Sequence, residues 1–205
     1  MSSFRWFIIF FLNFFILSCT TGGAYPIYLR YQPVREFSTL QKKLGLTLGI
    51  APFQDQRPDT MYVGHHTSLR GVPSYFKIEP APLEKAVAES LSHALSGYGV
   101  KTVPISNWDG KPESLRNMET DSVLMIEIKR FWAEGLASLF KTHVKTKVQF
   151  AIHLGVKKEG KVFTKNVEVE KEMTVARLTP ERVEAMINQI LTEIFDNFLS
   201  NPYEI

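Results

Sequence analysis

The chain has 205 residues, of which 24 are basic and 21 are acidic, so its formal net charge at pH 7 is +3. A charge this close to zero gives no electrostatic footprint for nucleic acid, which is therefore not expected as a partner. A single cysteine excludes a disulfide within the chain and a zinc site built on several thiols.

The N-terminal segment, residues 4–19, is organised like a secretion signal. Arg5 provides a positive start, and the run that follows as far as Leu17 is apolar except for Asn13. That run is shorter than the ~20 residues that a permanent transmembrane helix needs, and its length is typical of the hydrophobic region of a signal peptide. We therefore predict that residues 1–18 are removed as a signal peptide.

The apolar run ends in Ile16-Leu17-Ser18-Cys19, which resembles the lipobox of bacterial lipoproteins. The resemblance implies cleavage between Ser18 and Cys19, a diacylglycerol on the Cys19 sulfur and an acylated amino group. Two or three acyl chains, at ~0.8 kcal/mol per buried methylene, hold a protein on a membrane almost irreversibly. Thr20 is not the aspartate that retains many Gram-negative lipoproteins in the inner membrane, so the resemblance implies the outer membrane, facing the periplasm. The alternatives are a short uncleaved anchor or a chance cysteine.

After cleavage, the chain that begins at Cys19 has 187 residues and a net charge of +2, because only Arg5 is lost among the charged residues. That length is typical of one domain with a tether. Glycines and prolines in residues 19–43 predict a flexible tether, which leaves residues 44–205 as a single domain. Acylation would consume the only thiol, and no cofactor is expected.

The pattern of residues 44–205 predicts an α+β fold. Residues 82–97 and 179–202 each carry an apolar face at helical spacing, with proline at the start. Strands are predicted at residues 46–52, 100–103, 122–134, 143–156 and 162–175. The order β-α-β-β-β-β-α predicts a two-layer sandwich: an antiparallel sheet of four to five strands with both helices on one face. The proline-rich residues 53–82 are expected to form a long loop with one short strand at most.

The strand at residues 143–156 alternates between apolar and polar side chains. Its polar face carries His143, Lys145, Lys147 and His153, and the next strand brings Glu168 and Glu170 opposite them. A solvated sheet face with cross-strand ion pairs accounts for this pattern, and a surface for an anionic lipid or glycan is the alternative.

Two groups of residues in the loop after the first strand are candidates for a site. Asp55 and Arg57 either hold the loop through a charge-assisted pair or contact a partner. His65 and His66, with Asp55 and Asp59 nearby, could be read as metal ligands. Adjacent histidines on an extended segment point apart, however, so no metal site is predicted.

The segment of residues 131–140 is the most apolar connection in the chain. It contains Phe131 and Trp132 and ends in Leu139 and Phe140, and it either caps the core or protrudes as a contact patch. Together with Asp55 and Arg57, these four residues are the predicted partner contacts. No nucleophile elbow, zinc-protease motif, phosphate loop or dinucleotide fingerprint occurs, so no catalytic residue is predicted and an enzyme is not expected.

Several stretches together are similar to the YajG family of bacterial lipoproteins. They are residues 46–57, which read Leu-Thr-Leu-Gly-Ile-Ala-Pro-Phe-Gln-Asp-Gln-Arg, the helix that ends at residues 95–98, the strand 123–134, the hairpin 143–175 and the final helix 186–198. The resemblance implies an outer-membrane lipoprotein and brings no catalytic residues with it. Two helices on one sheet also resemble lipopolysaccharide-assembly and transport-auxiliary lipoproteins, by fold analogy alone.

These observations predict a non-enzymatic binding, assembly or transport-auxiliary module of the cell envelope. Its expected partners are the membrane, through Cys19, and an envelope protein or lipid. The alternative is an envelope hydrolase or metal-binding protein that uses residues 55–66.

Overall fold

A computed structural model describes residues 23–203 of the chain. The predicted signal peptide, its cleavage point at Ser18 and the lipidated Cys19 lie outside the described residues.

The described residues form strands β1 to β9, helices α1 to α3 and one short 3₁₀ helix at Glu113–Asn117. The strands are β1 (Ala24–Ile27), β2 (Thr47–Ile50), β3 (Gln54–Asp55), β4 (Gly64–Thr67), β5 (Pro73–Ile78), β6 (Lys101–Pro104), β7 (Ser122–Ala137), β8 (Thr142–Val156) and β9 (Lys161–Val175). The helices are α1 (Leu40–Leu44), α2 (Leu83–Ser96) and α3 (Pro180–Ser200).

One mixed sheet of nine strands contains all of these strands. The long strands β7, β8 and β9 form an antiparallel meander. The other edge of β7 is paired, one after another and in parallel, by the short strands β2, β3 and β4. Outside these, β6 pairs with β2 in parallel, β5 pairs with β4 antiparallel, and β1 pairs with β5 in parallel.

The general α+β sandwich is confirmed, but the predicted sheet of four to five antiparallel strands is wrong in size and direction. β1, β3, β4 and β5 are missing from the predicted order, and residues 53–82 contain three of them rather than one long loop. Strands of two to six residues are too short to show a period of two. β3 and β4 form because β7, distant in sequence, offers them a partner, and β5 and then β1 add to β4 in turn.

Both predicted amphipathic helices are present. Pro180 stands at the start of α3 after Thr179 at the N-cap position, and α2 begins directly after Pro82. The apolar faces of α2 and α3 join one core cluster with the inward side chains of the sheet. We call this side of the sheet the inner face. On β8 it carries Val144, Val148, Phe150, Ile152 and Leu154, all fully buried.

The chain from β1 to α1 packs on the domain instead of forming a flexible tether. Ile27, Tyr31, Phe37 and Leu40 are buried in the main core. The Tyr31 hydroxyl donates a hydrogen bond to buried Asp196 of α3 at 2.7 Å. Apolar side chains at irregular spacing between prolines resemble a spacer in sequence. They become core because the segment packs on both long helices, as the hydrogen bonds of Tyr31 to Ser90 of α2 and Asp196 of α3 show. From Gly23 onward, the chain is therefore part of the fold.

Candidate functional site

The outer face of the sheet, opposite the helices, is divided into two halves. Near the start of β7 it is covered by the connection after β6, where Trp108 and Leu115 pack on Val123 and Met125 in a second apolar cluster. Gly155 of β8 makes this approach close, because a Cβ there would lie 2.8 Å from the Trp108 ring. Toward the end of β7 the outer face carries half-exposed aromatic and charged side chains instead.

A groove of about 420 Å³ lies on this second half, between the loop after β3 and the strands β7 and β8. We call it the outer groove. It is lined by Arg57, Pro58, Asp59, Lys129, Arg130, Phe131, Trp132, Glu134, Lys145 and Lys147. The groove therefore brings together two regions that are distant in sequence, the loop after β3 and the second half of β7.

Arg57 builds one wall of the outer groove and has little freedom to bind anything else. Its guanidinium pairs with both carboxylate oxygens of Asp55, at 2.9 and 2.7 Å. It also donates to the backbone carbonyls of Tyr62 at 2.8 Å and Phe131 at 3.1 Å. Its side chain is only 4% exposed, and that of Asp55 is 8% exposed. This pair fastens the loop after β3 to β7, as the first of the two interpretations of Asp55 and Arg57 expected.

The β-bulge in β7 decides which way its aromatic residues point. Pairing with β8 shifts between Ile128 and Arg130, so the residues after the shift change their face relative to a regular strand. Phe131 is then buried on the inner face, where its ring stacks on Phe150 at a centroid distance of 6.3 Å. Its neighbour Trp132 is half-buried on the outer face. Of this pair, Trp132 has the side chain that can meet a partner.

Trp132 is the end of a row of aromatic rings that crosses three strands. Its indole meets the His65 ring edge-on, with the ring centroids 5.8 Å apart, and the His65 and Tyr75 ring centroids are 6.2 Å apart. Tyr75 stacks on Tyr62 at 4.5 Å. The His65 ring also lies 3.9 Å from the Glu134 carboxylate. The two tyrosines were not singled out from the sequence, because nothing in their local pattern indicates that β4 and β5 bring them beside β7.

Lysines and glutamates of β8 and β9 form a ladder beside the outer groove, as the alternation predicted. Lys145 pairs with Glu170 at 2.6 Å and Glu172 at 3.2 Å. Lys147 pairs with Glu168 at 2.5 Å and Glu170 at 3.8 Å. The hydrogen bonds that Lys145 donates to Glu170 and Glu172 raise the pKa of Lys145, and the one to Glu170 lowers the pKa of Glu170. Both shifts favour the charged forms of Lys145 and Glu170.

The histidines and aspartates of residues 55–66 do not form one site. His65 and His66 alternate along β4, so they lie on opposite faces of the sheet. Burial, followed by the neighbouring His65, lowers the pKa of His66. Asp59 caps its own turn by accepting from the backbone N–H of Met61 at 3.0 Å. Within residues 23–203, no three His, Cys, Asp or Glu side chains lie close enough together to hold a metal ion.

The last two predicted contact residues lie at the tip of the β7–β8 hairpin, away from the outer groove. Leu139 is 80% exposed and Phe140 is 88% exposed. The turn under them is closed by the backbone N–H and hydroxyl of Ser138, which donate to the carbonyl of Lys141 at 2.7 and 2.8 Å. Of the two interpretations of residues 136–140, this segment protrudes and does not cap the core.

No protein-family model matches the sequence, and no curated protein does either. Solved structures are similar in fold. Protein XCC0632 from Xanthomonas campestris, of the family DUF330, has a TM-score of 0.57 and 13% identity, over 88% of this chain and 94% of that one. This chain therefore shares the fold of that protein, and an identity this low extends the likeness no further than the fold.

Two lipoprotein structures show a weaker likeness. Lipoprotein GNA1162 from Neisseria meningitidis has a TM-score of 0.40 and 14% identity, over 73% of this chain and 98% of that one. A minor lipoprotein from Acinetobacter baumannii has a TM-score of 0.35 and 11% identity, over 76% of this chain and 94% of that one. Scores this low carry no argument about the function of this chain. Among residues 23–203, no helix combines the length and hydrophobicity needed to span a bilayer.

Proposed function

We propose that this protein is a non-enzymatic binding module of the bacterial cell envelope, anchored to the outer membrane through lipid on Cys19 and facing the periplasm. The signal-like residues 1–18, the lipobox ending at Ser18-Cys19 and the resemblance to the YajG family support the anchor. The observation that carries the binding role is the outer groove, in which an accessible indole lies among cations.

The chemistry of the outer groove favours an acidic segment of an envelope protein as the ligand. Trp132 offers a flat apolar surface, and the basic side chains of Lys129, Arg130, Lys145 and Lys147 line the groove with it and outnumber the carboxylates Asp59 and Glu134. Tryptophan and arginine are among the residue types enriched at the energetic hot spots of protein interfaces. The rigid wall that Arg57 makes with Asp55 keeps the groove open without a ligand, so binding needs little reorganisation.

The same geometry gives little support to a hydrolase or metal-binding protein based on residues 55–66. Asp55 is engaged by Arg57, and the two histidines lie on opposite sides of the sheet. The two carboxylates among the described residues of the outer groove also have partners, since Asp59 accepts from the backbone N–H of Met61 and Glu134 lies 3.9 Å from the His65 ring. We therefore propose binding rather than catalysis.

The anchor is tested by the intact mass of the protein purified from membranes. We expect the mass of the chain from Cys19 plus acyl chains, and a Cys19→Ala variant without that addition and released from the membrane. A soluble, unmodified wild-type chain would contradict the anchor and leave the outer groove to be tested as part of a free periplasmic protein.

The binding role is tested by site-specific photo-crosslinking in intact cells. A photoreactive amino acid replaces Arg130 in the outer groove or, as the control, Lys85, which is 65% exposed on α2 at the opposite side of the domain. We expect one protein adduct from position 130 and no such adduct from position 85.

In the purified complex, Trp132→Ala should weaken binding by about 30-fold, which corresponds to about 2 kcal/mol.

Two results would contradict the proposed groove. One is the same set of adducts from both positions, which indicates random collision. The other is an affinity for the partner that neither Trp132→Ala nor Trp132→Phe changes.

A further inference from the structure

Strand register places one residue from each of five strands at the same level across the sheet. Ala24 of β1 pairs with Tyr75 of β5, which pairs with His65 of β4. His65 pairs with Glu134 of β7, which pairs with Lys145 of β8. β1 therefore runs antiparallel to β4 and β7. Followed from Ala24 back toward the N-terminus, the chain moves in the direction in which β4 and β7 run toward their last residues. The β4–β5 and β7–β8 connections therefore lie at the end of the sheet where the chain enters β1 at Gly23.

Large apolar side chains are exposed at this end of the molecule. Leu69 in the β4–β5 turn is 61% exposed, and Leu136 at the end of β7 is 52% exposed. Beyond them, Leu139 and Phe140 are the two most solvent-exposed large apolar side chains of the β7–β8 tip. Turns facing water are normally built from polar residues, glycine and proline. Exposed apolar residues grouped at one end mark a surface that another phase or molecule covers.

The connections that carry these residues are basic. The three connections at this end are residues 68–72, 138–141 and 176–179, because β9 ends beside the start of β8. They contain Arg70, Lys141 and Arg177, all exposed, and no aspartate or glutamate. Apolar and aromatic side chains flanked by lysine and arginine are the combination that inserts at the interface of an anionic bilayer.

The attachment point of the proposed lipid is close to the same end. Cys19 precedes Gly23 by four residues, and Gly23 is already held by the sheet, since its carbonyl accepts from the N–H of Tyr75 at 3.0 Å. Four residues of chain span at most about 14 Å. A domain on so short a link cannot stand clear of the bilayer, and the link holds this end of the sheet toward it.

We propose that the tips of the β4–β5 and β7–β8 hairpins dip into the lipid bilayer that carries the anchor, with Leu69, Leu139 and Phe140 as the inserted side chains. This proposal rests on the proposed lipid on Cys19. It adds an orientation: the strands β7 and β8 stand on the membrane, the outer groove opens sideways above it, and the β8–β9 turn points into the periplasm.

Lipid-quenched fluorescence of the lipidated protein tests this orientation. Acylation consumes the thiol of Cys19, so a cysteine introduced as Phe140→Cys is the only one available for an environment-sensitive fluorophore. The control is Glu159→Cys, exposed in the β8–β9 turn at the opposite end of the same strands. Each labelled protein is reconstituted into vesicles of phosphatidylethanolamine and phosphatidylglycerol that contain spin-labelled lipid. We expect severalfold stronger quenching at position 140 than at position 159, and a blue-shifted emission at position 140 alone.

The outcomes separate the orientation from the anchor. Equal, weak quenching at both positions in a protein whose intact mass shows the acyl chains overturns the orientation and leaves the anchor standing. A blue shift at position 140 without lipid quenching also overturns it, because a protein then covers the tip. A mass without acyl chains overturns both. Because position 140 is 88% exposed, the substitution removes no core contact, and an unchanged far-UV circular dichroism spectrum verifies folding.

Discussion

Asp121 fastens the start of β7 to the start of β2. Its carboxylate accepts hydrogen bonds from the backbone N–H of Thr47 at 2.8 Å, from the Thr47 hydroxyl at 2.8 Å and from the backbone N–H of Leu46 at 2.9 Å. These donors, with Lys157 nearby, hold the pKa of Asp121 below its usual value, because they favour the charged form. Gly45 allows this approach, since a Cβ there would lie 2.2 Å from the Asp121 side chain.

We expect Asp121→Asn to lower the free energy of unfolding by about 1 kcal/mol at pH 7, a value reduced by solvent screening. Because the pKa of Asp121 is lower in the folded than in the unfolded protein, its ionised carboxylate stabilises the fold at pH values above the unfolded pKa. This stabilisation is lost as the pH falls through the folded pKa. The difference between wild type and variant should therefore shrink as the pH falls below about 4. Urea titrations at several pH values measure it, with exposed Glu89→Gln on α2 as the control. A difference that is the same at every pH would contradict this account.

A second carboxylate, Asp196, is buried in α3 and holds the segment that follows β1. It is 2% exposed and accepts from the Tyr31 hydroxyl at 2.7 Å and from the backbone N–H of Val34 at 3.1 Å. Burial, then the hydrogen bond with Asp196, raises the pKa of Tyr31 above its ordinary value. An aspartate on the apolar side of a helix is costly unless both oxygens are paired, and here they are.

We predict that Asp196→Ala destabilises the protein by about 1–3 kcal/mol, because it leaves the Tyr31 hydroxyl and the Val34 N–H without a partner. Tyr31→Phe should lose about 1 kcal/mol, since it removes only one hydrogen bond. The double variant should be less destabilised than the sum of the two, as urea unfolding can measure. Strict additivity would show that the two side chains do not interact.

At the level of single elements, β4 depends on the absence of a side chain at its first residue. Gly64 has a φ of 151°, and a Cβ built on it would lie 1.9 Å from the carbonyl oxygen of Ala133 in β7. A side chain here would push β4 away from β7 and move His65 away from Trp132. The glycine thus decides whether the row of aromatic rings forms.

Gly64→Ala should destabilise the protein by at least about 2 kcal/mol, through backbone strain together with the collision against β7. Gly71→Ala in the β4–β5 turn is the matched control, because Gly71 also has a positive φ, 75°, but has no atom within 4 Å of its Cβ position. This variant should be destabilised by the backbone strain alone, by about 1 kcal/mol. Thermal unfolding of both variants compares them. Equal losses would mean that the approach of β4 to β7 is not tight.

At the level of the whole molecule, the domain begins before residue 44. Ile27, Tyr31, Phe37 and Leu40 are all buried in the main core. At about 1.5–3 kcal/mol for each buried side chain, their removal reaches the whole stability of an ordinary domain, about 5–15 kcal/mol.

A chain that starts at residue 44 should therefore be unfolded or insoluble, whereas a chain that starts at Gly23 should unfold cooperatively. Circular dichroism during heating distinguishes the two. A cooperative transition at the same temperature in the shorter chain would restore the interpretation of residues 23–43 as a tether.

Much of the fold could be predicted from local pattern, and the candidate site only in part. α2 and α3 were recognised because 14 and 21 residues are long enough to show helical spacing. The ladder of Lys145 and Lys147 followed from strict alternation in β8. Of the six predicted contact residues, Trp132, Leu139 and Phe140 have accessible side chains, while Asp55, Arg57 and Phe131 are used inside the fold. The β-bulge before Arg130 is what separates Phe131 from Trp132, and no pattern in the sequence indicates it.

The sequence by itself determined the long helices, the three-strand meander and the signal-like start, because each depends on a repeat or motif within one continuous stretch. Only the tertiary structure decided the pairing of the short strands β1 to β5, the burial of residues 24–43 and the assembly of the outer groove. These depend on contacts between residues far apart in the chain, whose favourable energy appears only when β7 and α3 are in place. For the same reason, the common end shared by Gly23 and the hairpin tips is visible only in the folded molecule.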